Sequence, residues 1–308
     1  MTTVPHTPNT PHAPNTPNAP HAPNAPHTPG ATAARAAEGP AEPRPRFRDL
    51  LAAEWLKLWS LRSTPWAYAV TVLTVVGFNA GTAYDTYRYW TSYDDRGRAD
   101  FVRDGIALAE AFTANAAMLL VLAAGALGAA AVAGEYGSGL MRTTFTAVPA
   151  RGSVMAAKAA VVTAVTTAVG TLTAVVSYAV TQAILSRRGV GLPFDHPGAT
   201  RLLVASALLM PVAALTGMAL GTLLHHLGTT IVLTVVTLVL LPAVFSSDRY
   251  WSALVDHTLP YEAWLRLTQP ATFTTAHPWS TGGAWTVYAA WALAACVVTV
   301  VGARHRDP

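Results

Sequence analysis

Five long runs without Asp, Glu, Lys or Arg constrain what this chain can fold into. A helix needs about 20 apolar residues to cross the roughly 30 Å hydrocarbon core of a bilayer. The fourth run is long enough for two crossings, since its 46 residues would make about 69 Å of helix, and each of the others supplies one. The sequence therefore predicts an all-α integral membrane protein with six transmembrane helices. The charge-free runs are 63–84, 111–134, 159–186, 202–247 and 267–303.

The remaining composition excludes several classes of protein. Charged residues make up 12% of the chain, against about 25% in soluble domains. The single cysteine, Cys296, excludes a disulfide framework within one chain. The net charge of +4 comes without a basic cluster and with only two lysines, Lys57 and Lys158, so we expect no nucleic-acid partner.

The N-terminal segment differs from the rest of the chain. Residues 6–29 repeat a tripeptide that ends in proline, HTPNTPHAPNTPNAPHAPNAPHTP, which favours polyproline II and leaves almost nothing to bury. Its four histidines lie roughly 19–28 Å apart at about 3.1 Å per residue, too far to chelate a metal without folding back. We predict a disordered tail over 1–42 and a six-span domain over 43–308.

An amphipathic pattern precedes the first span, in FRDLLAAEWLKLWSLRSTPW (47–66). This pattern, flanked by Trp and Lys, predicts a helix at the bilayer interface, and Pro65 suits the first turn of the next helix. The alternative is that the segment simply begins the first span. The apolar side is predicted to hold Phe47, Leu50, Leu51, Trp55, Leu58 and Trp59, with Arg48, Asp49, Glu54, Lys57 and Ser60 mostly on the other side.

Two further segments are interpreted from their position. His225 and His226 lie at the middle of the fourth run, so LHHLG is predicted to be the tight turn between two spans. Paired histidines could instead ligate haem or relay protons. Residues 247–283 are aromatic, apolar and interrupted by proline, which favours a re-entrant or surface-lying hairpin before the sixth span.

The segment 134–158, GEYGSGLMRTTFTAVPARGSVMAAK, separates the second and third predicted spans. Its Glu135 needs water or a cation such as Arg142 or Lys57. Ser138 can cap a helix. Leu140, Met141, Phe145 and Val148 then form a short apolar stripe that ends at Pro149. These residues predict a short helix outside the membrane, followed by Arg151 and Lys158 anchoring the third span; a plain connector is the alternative.

Motifs for energy conversion and catalysis do not occur in the sequence. A P-loop needs Gly-Lys-Ser/Thr, but Lys57 follows Leu56 and Lys158 follows Ala157. There is no HExxH motif, and the GxSxG pattern fails at Ser138. The predicted spans also lack the charged residues of an ion-coupled carrier. We expect a membrane body that is not an enzyme and that draws any ATP energy from another subunit.

Three motifs together resemble one family, the permeases of ABC-2-type (type V) ABC transporters. The resemblance covers about 47–308. The segment LPYEA (259–263) is similar to a short Leu-Pro motif in the hairpin before their sixth span. Glu54, Lys57, Leu58, Ser60, Arg62, Ser63 and Thr64 resemble the run before their first span. Glu135, Tyr136, Gly139, Arg142, Thr143, Thr144, Pro149, Arg151 and Lys158 resemble the segment between their second and third spans.

The resemblance implies a complete architecture. Residues 47–66 would form a connecting helix, 134–158 would carry a coupling helix, and the hairpin would be re-entrant. A separate cytoplasmic P-loop ATPase, which holds ATP and Mg²⁺, would dock on the coupling helix, and a second permease subunit, identical or different, would complete the pathway. Gly137 and Phe145 depart from the family pattern.

The resemblance also assigns residue roles. Arg142, Thr143 and Thr144 would face the ATPase, while Glu135, Glu54 and Lys57 would form a polar cluster. Tyr136, Gly139, Arg151 and Lys158 are assigned to the same coupling region, and Arg62 to the connecting helix. We expect export of a hydrophobic or amphipathic substrate; a non-transporting scaffold or sensor, or a membrane enzyme that uses His225 and His226, are the alternatives.

The orientation follows from the distribution of basic residues. With six spans, both termini lie on one side, and that side carries eleven Lys and Arg residues against nine on the other. Positive residues favour the cytoplasmic side. We therefore expect a multi-pass plasma-membrane protein with both termini in the cytoplasm.

Cysteine labelling tests this orientation. In intact cells, a membrane-impermeant maleimide is expected to label Asp95→Cys directly and His226→Cys only after permeabilisation. The reverse pattern would show that the chain is inserted the other way round.

Overall fold

Helices form all the regular secondary structure in the computed structural model, which describes residues 45–245, 249–269 and 276–305. The described residues fall within one unit, Pro45–Pro308. The tail predicted over 1–42 and its boundary with the membrane domain lie outside the described residues. The helices are α1 (Phe47–Ser60), α2 (Ser63–Tyr89), α3 (Asp95–Arg103), α4 (Ile106–Glu110), α5 (Ala114–Gly137), α6 (Leu140–Ala147), α7 (Arg151–Ser186), α8 (Ala199–Leu224), α9 (Leu227–Val235), α10 (Leu241–Val244), α11 (Tyr250–Asp256), α12 (Pro260–Thr268) and α13 (Thr281–His305).

Six helical stretches within the described residues are long and apolar enough to cross a membrane. This number, which rests on the length and composition of the helices, agrees with the prediction. The structure is that of a multi-pass membrane protein. The six stretches are Ser63–Ser92, Ile106–Gly137, Arg151–Ser186, Ala199–Leu224, Leu227–Val244 and Thr281–Arg304.

The fourth span, α8, lies at the centre of the bundle. It packs against α5, α7, α12 and α13, and 83% of its apolar window is buried, against 22% in each of the fifth and sixth spans. Glycines allow its close approach to α5. A Cβ atom on Gly128 would overlap the carbonyl group of Ala214, and one on Gly217 would overlap the carbonyl oxygen of Gly125. Backbone contact between α5 and α8 therefore depends on the absence of side chains at these positions.

The second span, Ile106–Gly137, consists of two helices, α4 and α5, rather than one. The chain breaks between α4 and α5, where the Thr113 hydroxyl accepts a hydrogen bond from the Ala116 N–H and caps α5. Asn79 of α2 accepts from the backbone and the hydroxyl of Thr113 and donates to Ser177 of α7. The Asn79 side chain, held by Ser177, thus satisfies the Thr113 N–H at the break, as a helix interruption at membrane depth requires.

The turn between the fourth and fifth spans is located where the sequence predicts it. His225 adopts a left-handed conformation with φ 57° and ends α8, and α9 begins at Leu227. The His225 ring lies 4.2 Å from the ring of Tyr136, centroid to centroid. The turn therefore lies at the same end of the bundle as the segment 134–158, which agrees with the predicted topology.

The fifth span combines α9, a π-helical turn at Val236–Leu240 and α10. Four of its buried residues are spaced four positions apart, at Thr230, Thr234, Leu238 and Pro242. These residues form its inward face, and Val232, Leu240 and Val244 are exposed on the other side.

The segment before the sixth span forms two short helices, α11 and α12. Pro260 occupies the first turn of α12, where its missing N–H costs nothing. Trp264 is 1% exposed and donates a 3.0 Å hydrogen bond to the Ser206 hydroxyl of α8. Arg266 donates to the Trp279 carbonyl before α13. The predicted hairpin is thus helical and fixed to α8, whereas the 270–275 part of the prediction lies outside the described residues.

The charged segment between the first and second spans contains a short helix, α3. Asp94 caps α3 by accepting a 2.8 Å hydrogen bond from the Gly97 N–H. Phe101 is 3% exposed and lies against Trp90 at 5.2 Å between ring centroids. The cap and this aromatic contact account for the short helix.

The contact between α5 and α8 leads to a stability prediction. Gly128→Ala is expected to lower the free energy of unfolding by about 1–3 kcal/mol, because the added methyl group forces the two helices apart. Gly134→Ala on the same helix is the control, since nothing lies within 4 Å of a Cβ atom there. Thermal unfolding in detergent measures both variants. Equal melting temperatures for the two would contradict the close contact.

Candidate functional site

Four charged side chains from three helices meet at the end of the bundle that carries α1 and α6. Glu54 and Lys57 lie one turn apart on α1, Glu135 lies in the last turn of α5, and Lys158 lies two turns into α7. We call these four residues the ion cluster. They come together because α1 packs along α7 and because Leu50, Glu54 and Leu58 recur at every fourth residue on the inner side of α1.

Lys158 is the central cation of the ion cluster. Its ammonium group donates to Glu54 Oε2 at 2.5 Å and to Glu135 Oε1 at 2.6 Å. Lys57 donates to Glu54 Oε1 at 2.8 Å and lies 3.8 Å from Glu135 Oε2. Glu54 therefore accepts one lysine on each oxygen and connects α1 to α7, whereas Lys158 connects both helices to α5.

Because the ion cluster is largely buried, its charged groups must stabilise one another in place of water. Glu54 and Lys158 are each 4% exposed, and the side chain of Lys57 is 27% exposed. A buried charge loses its hydration and must recover it from partners of opposite sign. Two lysines and two glutamates make the ion cluster neutral, and removing any one of them would leave a net charge at a poorly hydrated place.

A hydrogen bond joins the ion cluster to α6. Lys57 donates to the Thr144 hydroxyl at 3.2 Å, and that hydroxyl donates to the Leu140 carbonyl within α6. Met141 and Phe145 are buried on one side of α6, whereas Arg142 and Thr143 are exposed on the other. The helix thus presents a basic and a hydroxyl side chain outward while its inner side is fixed to the bundle.

The local sequence explains where α6 begins and ends. Gly139 has φ +74°, a left-handed conformation that glycine adopts without strain, and it precedes the first residue of α6. Val148 is extended at the other end, as the residue before a proline prefers to be. The prediction of a short helix before Pro149 is confirmed.

The predicted site residues separate into two groups. Glu54, Lys57, Glu135, Thr144 and Lys158 come together at the ion cluster. The others lie around it. Arg62 is exposed between α1 and α2, Tyr136 packs on His225, Gly139 begins α6, Arg142 and Thr143 are exposed on α6, and Arg151 lies over the Phe145 ring at 5.5 Å.

Several local predictions are wrong. Ser138 does not cap α6; it follows α5, and its hydroxyl donates to the Glu135 carbonyl. Glu135 does not follow the second span but lies within its last turn. Arg151 and Lys158, predicted to anchor the third span, lie in the first turns of its helix, because α7 already begins at Arg151 rather than near 159. In each case the helix continues beyond the charge-free run from which its length was predicted.

The prediction for α1 is wrong at Glu54. This residue, predicted on the polar side, is buried, whereas Trp55 and Trp59 of the predicted apolar side are 48% and 40% exposed and available to contact lipid. The two rings contact each other at 5.6 Å between centroids. The inner side of α1 follows Leu50, Glu54 and Leu58 because Lys158 compensates the carboxylate.

Lys158 is the main partner of both carboxylates, at 2.5 Å from Glu54 Oε2 and 2.6 Å from Glu135 Oε1. The sequence predicts Arg142 or Lys57 as the cation for Glu135 and does not predict this role of Lys158. The four-residue spacing of Leu50, Glu54 and Leu58 is the signal that could have identified a buried Glu54.

A second acidic pair lies in the α11–α12 hairpin, outside the spans. Asp256 is 4% exposed, and burial raises its pKa to about 6. Burial, and secondarily the nearby charge of Asp256, raise the pKa of Glu262 to about 7. Part of this pair is therefore protonated near neutral pH. It lies apart from the ion cluster, next to α12 rather than α6.

Comparison with known proteins finds no family model and no curated protein that matches this chain. A function is therefore proposed from the geometry of the ion cluster and from the resemblance of the sequence motifs to those of ABC-2-type permeases.

The ion cluster leads to a prediction about stability. Lys158→Met is expected to lower the free energy of unfolding by about 3–5 kcal/mol, because it leaves two carboxylates without their buried cation. Lys57→Met is the matched control and should cost less, since that ammonium group is partly in water. Thermal unfolding in detergent measures both.

A double variant separates charge from packing. Lys158→Met combined with Glu54→Gln should recover part of the loss, since the remaining charges balance again. If Lys158→Met unfolds at the wild-type temperature, the ion cluster does not hold the three helices together.

Proposed function

We propose that this chain is the transmembrane subunit of an ATP-driven ABC transporter of the ABC-2 type. A separate cytoplasmic P-loop ATPase binds ATP and Mg²⁺ and docks on α6. The chain itself is not an enzyme in this proposal. It forms the pathway together with a second permease subunit, identical or different, and exports a hydrophobic or amphipathic substrate across the plasma membrane.

The observation that carries the proposal is the connection of α6 to three other helices. Thr144 is bonded to Lys57, and Lys57 belongs to the ion cluster that also includes Glu135 and Lys158. A force on α6 therefore reaches α1, the second span and the third span through short polar contacts. A plain connector between two spans would not need a buried ion cluster at its base.

The outer side of α6 is suited to a docking partner. Arg142 and Thr143 are exposed, and arginine can bind carboxylates of another protein through two parallel hydrogen bonds. The resemblance to ABC-2-type permeases assigns the same residues to the ATPase contact. In this proposal, Gly139 and Pro149 limit α6 to a short rigid element that transmits the motion of the ATPase.

The remaining parts of the molecule have roles in the same proposal. The exposed Trp55 and Trp59 support a position of α1 at the bilayer interface, where tryptophan is enriched. The α11–α12 hairpin is re-entrant on the outer side, and both termini are cytoplasmic. Nucleotide binding in the ATPase would move α6, and spans 1, 2 and 5 would reshape the pathway between the two permease subunits.

Variants of α6 test the proposal directly. The chain is co-expressed with each candidate P-loop ABC ATPase of the same genome, and association and substrate-stimulated ATP hydrolysis are measured. Arg142→Glu with Thr143→Ala is expected to reduce association at least about tenfold, because losing charge-assisted hydrogen bonds costs 1.5–3 kcal/mol or so.

Arg96→Glu provides the matched control, since Arg96 is exposed at the opposite end of the bundle. It should leave association unchanged. Unchanged association in the α6 variant would show that the ATPase does not dock there, and the absence of any ATPase partner would favour a scaffold or sensor.

A further inference from the structure

The helix α11 is held to the rest of the molecule on one side only. Tyr250, Trp251 and Leu254 on its outer side are exposed, whereas Ala253 and Asp256, one turn apart on its inner side, are buried. The next helix, α12, is fixed more firmly, because it packs against α5, α8 and α13. The contact of α11 with the bundle therefore depends on a small inner side that includes a carboxyl group.

The carboxyl group of Asp256 is buried without compensation. It is 4% exposed, and its Oδ1 atom has no hydrogen-bond partner among the described residues. A carboxylate in such a place loses its hydration, whereas the neutral acid loses much less. Burial accordingly raises the pKa of Asp256 to about 6. The docked position of α11 thus favours the protonated form of this residue.

Glu262, in the first turn of α12, places a second carboxyl group near the first. Burial, and secondarily the charge of Asp256, raise the pKa of Glu262 to about 7. Because both pKa values are raised, the folded hairpin binds more protons than an open one, and a rise in pH weakens it. Docking is strongest below the ordinary pKa values of 3.8 and 4.5 and is weakened progressively until both groups have ionised, near pH 7.

The other titratable groups around the hairpin do not neutralise the two carboxyl groups. Burial, and secondarily His277, lower the pKa of His257, so His257 carries little charge at neutral pH. Arg249 is exposed at the opposite end of α11, and the described segments of α5 and of the fifth span that pack on α12 contain no titratable side chain. Four further groups donate to backbone carbonyls elsewhere: Tyr261 to Ala114, Arg266 to Trp279, Arg201 of α8 to Gln269, and Tyr288 of α13 to Ala205.

We propose that α11 is a pH-sensitive flap, which rests on the bundle while Asp256 and Glu262 carry protons and lifts away when they ionise. Lifting α11 brings Asp256 into water and separates its charge from that of Glu262. The turn after α11 stays in place, because the Thr258 carbonyl accepts a 2.7 Å hydrogen bond from Trp291 of α13. The hinge therefore lies between Asp256 and Thr258.

The flap lies at the end of the bundle opposite to the ion cluster. Tyr261 of α12 donates to the carbonyl of Ala114, the first residue of α5, whereas Glu135 lies in the last turn of that helix. The flap thus responds to the pH on the side of the membrane away from α6. The proposal requires no ATPase partner, and it holds or fails independently of the proposed function.

Hydrogen exchange of α11, followed by mass spectrometry of the full chain in detergent, tests the flap. At each pH the exchange rate of residues 250–256 in the wild type is divided by the rate in Asp256→Asn, so that the intrinsic pH dependence of exchange cancels. The variant keeps a neutral side chain of similar shape at every pH. The ratio is expected to rise at least about tenfold from pH 4.5 to pH 8, since one pKa unit corresponds to about a factor of ten in the equilibrium between docked and lifted α11.

Two further variants assign the response. In Glu262→Gln the rise should remain but end near pH 6, where Asp256 alone has ionised. Asp95→Asn removes a carboxylate that is fully exposed on α3, and this matched control should exchange like the wild type at every pH.

Two outcomes would overturn the proposal. A ratio that stays constant with pH would show that α11 remains docked when Asp256 ionises. Loss of the response in His257→Gln or His277→Gln would assign it to a histidine in place of the carboxyl groups.

Thiol labelling of the inner side gives an independent measurement. In a Cys296→Ser background, Ala253→Cys and Leu254→Cys place a thiol on the buried and on the exposed side of the same helix. The ratio of their labelling rates with a maleimide should rise with pH in this background and stay low when Asp256→Asn is added. The same pH dependence at both positions, with and without Asp256→Asn, would show that the inner side does not open.

Discussion

An ammonium group moved from water into an apolar interior loses several kcal/mol of hydration, and Lys158 lies in such a place, where α1, α5 and α7 meet. It recovers this loss only by contacting Glu54 and Glu135 together. Each of these carboxylates lies on a different helix, so the three helices must approach one another for the lysine to be buried. The position of α1, the end of the second span and the base of α6 all follow from this requirement.

A different force holds the centre of the bundle. Between α5 and α8 the contact is made by backbone and small side chains, since glycines bring the two helices into direct contact. Such packing depends on shape, because lipid chains are as apolar as leucine side chains and the hydrophobic effect therefore does not drive two helices together within the membrane. The molecule therefore has a tightly packed centre and an electrostatic junction at one end. The fifth and sixth spans, each with 22% of its apolar window buried, lie at the edge.

Charge-free runs predict the number of spans and the turn at His225 well, because hydrophobic length is a property of the sequence alone. The ends of the helices are predicted less well. Glu135 and Lys158 belong to helices rather than to the connector between them. Each residue taken alone is expected to need water around its charge, but the contact between the two charges replaces that water. The inner side of α1 is mispredicted at Glu54 for the same reason, and the break before Thr113 depends on Asn79, which lies 34 residues earlier. Polar contacts between residues far apart in the sequence are the part of this structure that local sequence patterns cannot predict.

The π-helical turn at Val236–Leu240 has a consequence for the fifth span. A buried stripe at every fourth residue drifts around an ordinary α-helix by about 40° per step, so that Pro242 would turn away from the neighbours of Thr230. The wider π turn offsets part of that drift and keeps Thr230, Thr234, Leu238 and Pro242 on one side. The two halves of the span are thus set in phase by a single local widening. Tightening it to α-helical geometry would rotate one half of the span against the other.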